Sequence, residues 1–218
     1  MFDIMKSIGR IAFGIVLFAL MPSAYAQETF VKLRDVESFT SELAARTSAV
    51  ESIYASVRQE KYLSVFSAKV VSKGVFAWEK PDRLCLDYRT PSPYKIVIDG
   101  DRLLTLNAGK SSSASLKGNP VMSQMRSLMA ACITGDLSRM GNGFSMEYSE
   151  SASEYRVEIV PESSQFRGYI SRMVISLDRK DLSVNSLTMY ENETDYTEYV
   201  FYDKKFNQKI PDSVFAVR

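Results

Sequence analysis

Histidine is absent from this sequence of 218 residues, and cysteine occurs only twice. Without imidazole the chain can form no Ser-His-Asp triad, no Cys-His dyad and no histidine-bound zinc site. Two cysteines cannot build a structural zinc site or a disulfide framework, although they could form one bridge. We therefore expect no metal and no cofactor, and the only enzymes left open are those that rely on carboxylates or lysine.

An excess of charge of either sign is also missing, because 27 Lys and Arg residues face 26 Asp and Glu residues. A nucleic-acid clamp needs a basic surface, and a disordered chain needs few hydrophobic residues, whereas 45% of this sequence is hydrophobic. The composition therefore predicts a globular protein that binds no nucleic acid.

Residues 1–26 have the pattern of a secretory signal peptide. Two basic residues precede an apolar run of eleven, and Ala24 and Ala26 are the small residues that a signal peptidase reads. The run is too short to cross a hydrocarbon layer about 30 Å thick as a helix. We predict cleavage after Ala26 and an exported domain over residues 27–218. Gln27 stands where a lipid-modified protein would carry cysteine, so we expect no lipid anchor there.

Hydrophobic periodicity predicts a helix, a set of strands, a second helix and a further set of strands. Apolar residues at helical spacing predict the first helix from a cap at Asp35 to about Tyr54, and the second after Pro120. Residues 108–119 are rich in Ser, Gly and Lys and are predicted to be a linker. Period-two alternation predicts strands over residues 57–63, 65–78 with a bend at Gly74, 84–88, 94–98, 103–107, 144–148, 155–160, 169–177, 182–190, 196–206 and 214–217. Runs of strands without intervening helices predict an antiparallel sheet with the helices on one side.

The second helix has two interpretations. Its apolar stripe contains Met122, Met125 and Met129, with Leu128 beside them. Such a stripe is typical of a core helix, but flexible thioethers also suit a lid that repacks over ligands of different shape. The Ser-rich segment before the helix and Gly135 after it are the loose connections that a moving lid would need.

A disulfide between Cys85 and Cys132 is permitted in an oxidising compartment, and the sequence leaves this question open. Cys85 lies on the strand face opposite to the apolar residues that the helix should cover, which disfavours the bridge. Acidic pairs such as Glu191 and Glu193 could serve a carboxylate-based hydrolase, although the alternation places almost no acids on the apolar face.

Two segments carry a resemblance to a known family. Residues 74–88 read GVFAWEKPDRLCLDY and residues 96–103 read IVIDGDRL. This order resembles the periplasmic outer-membrane lipoprotein carriers of the LolA family, in which a tryptophan segment and a basic residue before proline lead into an alternating strand and an Asp-Gly hairpin. The triplet VRQ at 57–59 and the segment KIPDSVF at 209–215 are also similar to the family pattern.

The resemblance implies a mainly β fold, an open half-barrel of about eleven antiparallel strands whose concave apolar face is covered by helices. It also implies a non-enzymatic, monomeric chaperone of the periplasm. Such a chaperone receives lipoproteins from an inner-membrane ABC-type releasing complex, shelters their acyl chains and passes them to an outer-membrane receptor or acceptor. Lys80 occupies the position of a family arginine that helps to tune lid opening and release, and lysine offers a point charge where arginine offers a planar fork.

On this basis the sequence predicts a cavity and a lid. The cavity residues are Phe76, Trp78, Leu84, Leu86, Tyr88, Ile96 and Ile98, and the lid residues are Met122, Met125, Leu128 and Met129. Lys80 is the candidate for release and handover. Two alternatives remain: a binding protein for a free lipid, glycolipid or pigment precursor, and the carboxylate-based hydrolase.

Overall fold

The computed structural model describes residues 28–118, 120–140 and 143–217, with the backbone alone at 120–125, 139 and 165. The predicted signal peptide and its cleavage site therefore lie outside the described residues. Within this part of the chain, no helix is both long enough and apolar enough to cross a membrane.

One antiparallel sheet of twelve strands forms the body of the protein, in the order β1-β8-β9-β10-β11-β12-β2-β3-β4-β5-β6-β7. β1 and β7 are the two edges and do not pair with each other, so the sheet is open. The predicted fold class is confirmed, with twelve strands rather than about eleven. The strands are β1 (Val31–Lys32), β2 (Ser52–Leu63), β3 (Ala68–Glu79), β4 (Arg83–Thr90), β5 (Tyr94–Asp99), β6 (Arg102–Asn107), β7 (Lys110–Ser115), β8 (Phe144–Glu150), β9 (Glu154–Pro161), β10 (Arg172–Asp178), β11 (Val184–Tyr190) and β12 (Tyr196–Phe206).

Two long helices, α1 (Val36–Ser48) and α2 (Pro120–Thr134), and a single turn of helix, α3 (Ser164–Arg167), complete the described structure together with three short 3-10 helices. Asp35 caps α1 as predicted, because its Oδ1 accepts a hydrogen bond from the amide of Ser38 at 3.0 Å. The predicted end near Tyr54 is wrong. The β-branched and aromatic residues from position 53 onward enter β2 instead, where Ile53 pairs with Trp78 on β3.

The sheet has two faces with separate hydrophobic clusters. The inner face, which α1 and α2 cover, carries the main core, and its β4 members are Leu84, Leu86 and Tyr88. The outer face carries a smaller cluster in which the C-terminal segment covers Cys85 and two neighbouring strands. Both cysteines are free and buried, and Cys132 belongs to the inner core. The sheet therefore separates the two thiols, so they do not form a disulfide.

Three predictions about local structure are wrong. The predicted linker contains the edge strand β7, which alternation cannot reveal because all of its residues are exposed. The predicted strand at 214–217 is replaced by a 3-10 helix, Asp212–Phe215, which packs Phe215 onto the outer face. The predicted strand from residue 65 begins at Ala68, because a 3-10 turn, Ser64–Phe66, precedes it.

Gly74 is required by a close approach of two strands. A Cβ atom built at this position would lie 2.1 Å from the carbonyl oxygen of Asp87 on β4. The pairing of β3 with β4 shifts register between Lys73 and Gly74, which agrees with the bend predicted here.

Candidate functional site

The predicted cavity residues come together on the inner face of β3, β4 and β5. Phe76, Leu86 and Ile96 pair across the three strands in one row, and Trp78, Leu84 and Ile98 form the next row. The β3 and β4 residues, with Tyr88, are buried, whereas the two isoleucines are half-buried against the same core. Strand pairing in this register therefore produces a continuous apolar surface.

Helix α2 lies over part of this surface, beside Trp78, Leu84 and Ile98. Leu128 is buried and Met129 is half-buried against the inner core, whereas the side chains of Met122 and Met125 lie outside those described. Ala131, Cys132 and Ile133, at the C-terminal end of α2, are also buried. Sequence reasoning placed only Cys132 of these three on the apolar stripe.

Two small cavities in the described structure are bounded by residues of α2. The first, of about 150 Å³, lies between the C-terminal ends of α1 and α2 and the β12 strand, and its apolar part includes Phe76, Ile133 and Phe201. The second, of about 110 Å³, is bounded by α2 and by Trp78 and Ile98. A cavity of about 150 Å³ holds a ligand the size of benzene, so neither can accept a whole fatty chain. Accommodation of such a chain between α2 and the sheet would require α2 to move.

The mouth of the first cavity is charged. Arg46, Asp181 and Lys204 line it together with apolar residues. The Lys204 ammonium donates to the Ser183 hydroxyl at 2.6 Å and to the side-chain oxygen of Asn185 at 2.8 Å. Partial burial lowers the pKa of Lys204, against the opposing effect of Asp181. This end of the cavity is therefore polar, whereas the rest of its lining is largely apolar.

Arg126 joins α2 to the sheet through polar contacts. Arg126 is the one charged residue in the sequence of α2, and its guanidinium donates to the carbonyl oxygen of Gly100 in the β5–β6 turn. The same group lies 3.4 Å from the carboxylate of Asp101. The position of Arg126 as the lone charge on an apolar helix was a signal in the sequence that it has a polar partner. The sequence could not show that this partner is the turn at Gly100 and Asp101, 25 or 26 positions away.

Lys80 contacts the C-terminal end of α1. Its ammonium donates to the carbonyl oxygen of Ser48, the last residue of α1, at 2.8 Å, and to the Glu51 carboxylate at 2.9 Å. The residue proposed for release thus joins the β3–β4 turn to the end of α1.

Carboxylates are sparse around the two cavities. Asp181 is the carboxylate among the residues that line the first, and Asp82 is the one among those of the second. A glycosidase-type mechanism uses two carboxylates flanking one bond, and neither cavity lining supplies such a pair. In the described ranges there is also no group of three or more acidic or cysteine residues that could hold a metal ion.

Comparison with known proteins gives one sequence-family match. The family model for the outer membrane lipoprotein carrier protein LolA matches residues 48–218. No curated protein matches the sequence.

Several solved structures are similar in fold. A LolA superfamily protein from Nitrosomonas europaea covers 82% of this chain and 97% of its own, with 10% identity and a TM-score of 0.42. A domain of a putative outer membrane lipoprotein-sorting protein from Vibrio parahaemolyticus covers 82% and 94%, with 11% identity and a TM-score of 0.43. The lipoprotein LppX of Mycobacterium tuberculosis covers 79% and 96%, with 9% identity and a TM-score of 0.45.

Proposed function

Because this chain belongs to the LolA family of outer membrane lipoprotein carriers, we propose that it carries lipoproteins across the periplasm with their acyl chains sheltered beneath α2. In this proposal an inner-membrane ABC-type complex supplies the lipoprotein and an outer-membrane receptor or acceptor takes it. The members of the family are binding and carrier proteins, and the chemistry here is transfer of hydrocarbon between apolar environments without exposure to water.

The observation that carries the proposal is the apolar inner face, part of which lies under α2. Leu128 and Ile133 are the large apolar side chains that the described part of α2 buries. Each contributes about 1.5–3 kcal/mol, and the smaller Ala131 and Cys132 add less, so this packing holds α2 in place by about 4–8 kcal/mol. A buried methylene contributes about 0.8 kcal/mol, so about five to ten methylenes of cargo offset the loss of these contacts.

This balance suits a carrier. An uncovered inner face would bind acyl chains too tightly to release them. An inner face that is completely filled by side chains of the protein would bind none. The cover formed by α2 makes ligand entry displace protein contacts, which lowers the net affinity. The hydrogen bond from Arg126 to the Gly100 carbonyl oxygen must also be broken when α2 moves. The closed form is therefore favoured until burial of several methylenes of cargo offsets the loss of this bond.

Extraction of a labelled lipoprotein from inner-membrane vesicles that contain the releasing complex tests the proposal. We expect a soluble complex with the parent protein and none with Leu84→Glu, which places a charge on the inner face. Arg89→Glu, at an exposed position on the same strand, is the matched control and should extract normally. Equal extraction by the parent and Leu84→Glu, with both folded, would contradict the proposed site.

A free amphiphile, such as a lipid or a glycolipid, is the second candidate cargo. The charged mouth of the first cavity, with Arg46, Asp181 and Lys204, favours it. Mass spectrometry of the protein purified without detergent separates the two candidates, because a lipoprotein cargo brings a second polypeptide and a free amphiphile does not.

A further inference from the structure

The hairpin formed by β2 and β3 extends past the end of its neighbour β4, while β12 accompanies it almost to the turn. β4 ends at Thr90, which pairs with Lys73, so residues 68–72 of β3 have no partner on that side in the described structure. On the other side β12 begins at Tyr196, opposite Tyr62 of β2. Five residues at about 3.3 Å each project the hairpin by about 15 Å past the end of β4.

The projecting end is apolar and convex. Val65 is 79% exposed and Phe66 is 72% exposed in the turn, and Val70 is 53% and Val71 37% exposed just behind them. These four residues, which we call the hairpin tip, are a majority of the large hydrophobic residues exposed in the described ranges. Clustering of this kind indicates a surface that is covered during function.

Aromatic residues stand directly behind the tip. The rings of Tyr62 and Tyr196 stack with their centroids 5.7 Å apart, and Tyr190 lies 5.9 Å from Tyr196. Tyr169, which is 61% exposed, precedes β10 at the same end of the sheet. Tyrosine has an apolar ring and a polar hydroxyl, so it is favoured where hydrocarbon meets water at a bilayer surface.

The charges around the hairpin neutralise one another. Lys61 pairs with Glu191 at 2.9 Å, and Lys69 pairs with Glu60 at 2.7 Å. Arg58 lies 2.6 Å from Glu60 and 3.7 Å from Glu198. The hydrogen bond from Lys69 is the main cause that lowers the pKa of Glu60 to about 2, so this carboxylate stays ionised at neutral pH. Long-range attraction to anionic lipid is therefore weak, and binding must come from burial of apolar surface.

We propose that the hairpin tip inserts into the interface of a lipid bilayer and so positions the protein on a membrane. Its order of apolar turn, tyrosines and paired charges follows the change of polarity from the acyl region to water. A bilayer accepts a convex apolar projection of any shape, whereas a protein receptor would need a groove matched to it. The tip is separate from the inner face, and its insertion does not depend on whether the protein carries cargo.

Tryptophan fluorescence with vesicles of brominated phosphatidylcholine tests the insertion locally. Phe66→Trp places a reporter at the tip, and Val31→Trp places one on the exposed edge strand β1, at the other end of the sheet. The parent supplies the baseline, because its single tryptophan, Trp78, is only 3% exposed. We expect brominated acyl chains to quench the Phe66→Trp signal by at least about twofold, and the Val31→Trp signal to match the parent, because the quenching requires close contact.

Vesicle sedimentation gives a second measure. The double variant Val65→Ser/Phe66→Ser should bind zwitterionic vesicles about tenfold or more weakly than the parent, because burial of these two side chains supplies the affinity. The matched variant Val31→Ser should bind as the parent does. Salt at about 0.5 M, where the Debye length is only about 4 Å, should not weaken the parent's binding. An unquenched reporter at position 66 would overturn the proposal. Loss of binding to a membrane protein in the double variant, without quenching by lipid, would assign the tip to a protein receptor instead.

Discussion

The contact between Arg126 and the β5–β6 turn gives a prediction with a calculable size. The guanidinium donates to the Gly100 carbonyl oxygen, and its side chain is only 21% exposed. A hydrogen bond from a charged group contributes about 1.5–3 kcal/mol, whereas the pair with Asp101, whose side chain is 53% exposed, contributes about 0–1 kcal/mol. Arg126→Ala should therefore favour release of α2 by about 2 kcal/mol.

That change shifts the ratio of open to closed protein by about thirtyfold, since 1.4 kcal/mol corresponds to tenfold. When the closed form predominates, the apparent Kd for a ligand of the inner face is the intrinsic Kd divided by the open fraction. We expect the apparent Kd to fall by about the same factor in Arg126→Ala. Titration with a dansyl-labelled fatty acid, followed by energy transfer from Trp78, measures it.

Asp101→Asn is the matched control. It removes the ion pair and leaves the hydrogen bond to the Gly100 carbonyl, so the apparent Kd should change by less than about fivefold. Urea unfolding of each variant shows whether the fold as a whole has been weakened. A parental Kd in Arg126→Ala, with the variant stably folded, would refute the idea that this contact holds α2 closed.

Three further predictions concern other parts of the molecule. Burial raises the pKa of both thiols to about 12, so both should react slowly with iodoacetamide in the parent. Release of α2 in Arg126→Ala should make Cys132 react faster, whereas Cys85 on the outer face should react equally slowly in both proteins. Equal rates at Cys132 would contradict the release of α2. The depressed pKa of Glu60 contributes stability that is present above its ordinary pKa near 4.5 and is lost as the pH falls toward 2, so Glu60→Gln should lower the urea midpoint at pH 7 and make no difference at pH 2. Gly74→Ala should reduce the unfolding free energy by about 2 kcal/mol or more, measured by urea denaturation, because the new Cβ meets backbone; a parental midpoint would show that the strands can separate there at no cost.

The strands with one buried face were predictable because their alternation is a property of the chain itself. Leu84, Leu86 and Tyr88 alternate with polar residues and Cys85, and the structure places the first three on the inner face. β7 was missed because both of its faces are exposed, so only backbone pairing with β6 defines it. The end of α1 was misplaced because local apolar spacing allowed helix where cross-strand pairing favours β2.

The candidate site was predictable to a smaller extent. Alternation selected the sheet residues that now form one surface, and helical spacing selected Leu128 and Met129 to lie above it. It did not reveal that Lys80 contacts the end of α1, or that Arg126 contacts the β5–β6 turn. Both contacts join residues more than 20 positions apart, and local patterns hold no information about such distances.

The sequence by itself determined which side is apolar in the strands that bury one face. It also determined that the strands follow one another in antiparallel order and that a helix rich in methionine accompanies them. These properties depend on residues only a few positions apart, whose spacing the backbone geometry converts directly into faces. The tertiary structure alone decided how much space remains under α2, which contacts keep that helix closed, and how far the β2–β3 hairpin extends past β4. The space, the contacts and the extension all depend on segments that are far apart in the sequence. They therefore follow from the packing of the whole sheet rather than from any one stretch of the chain.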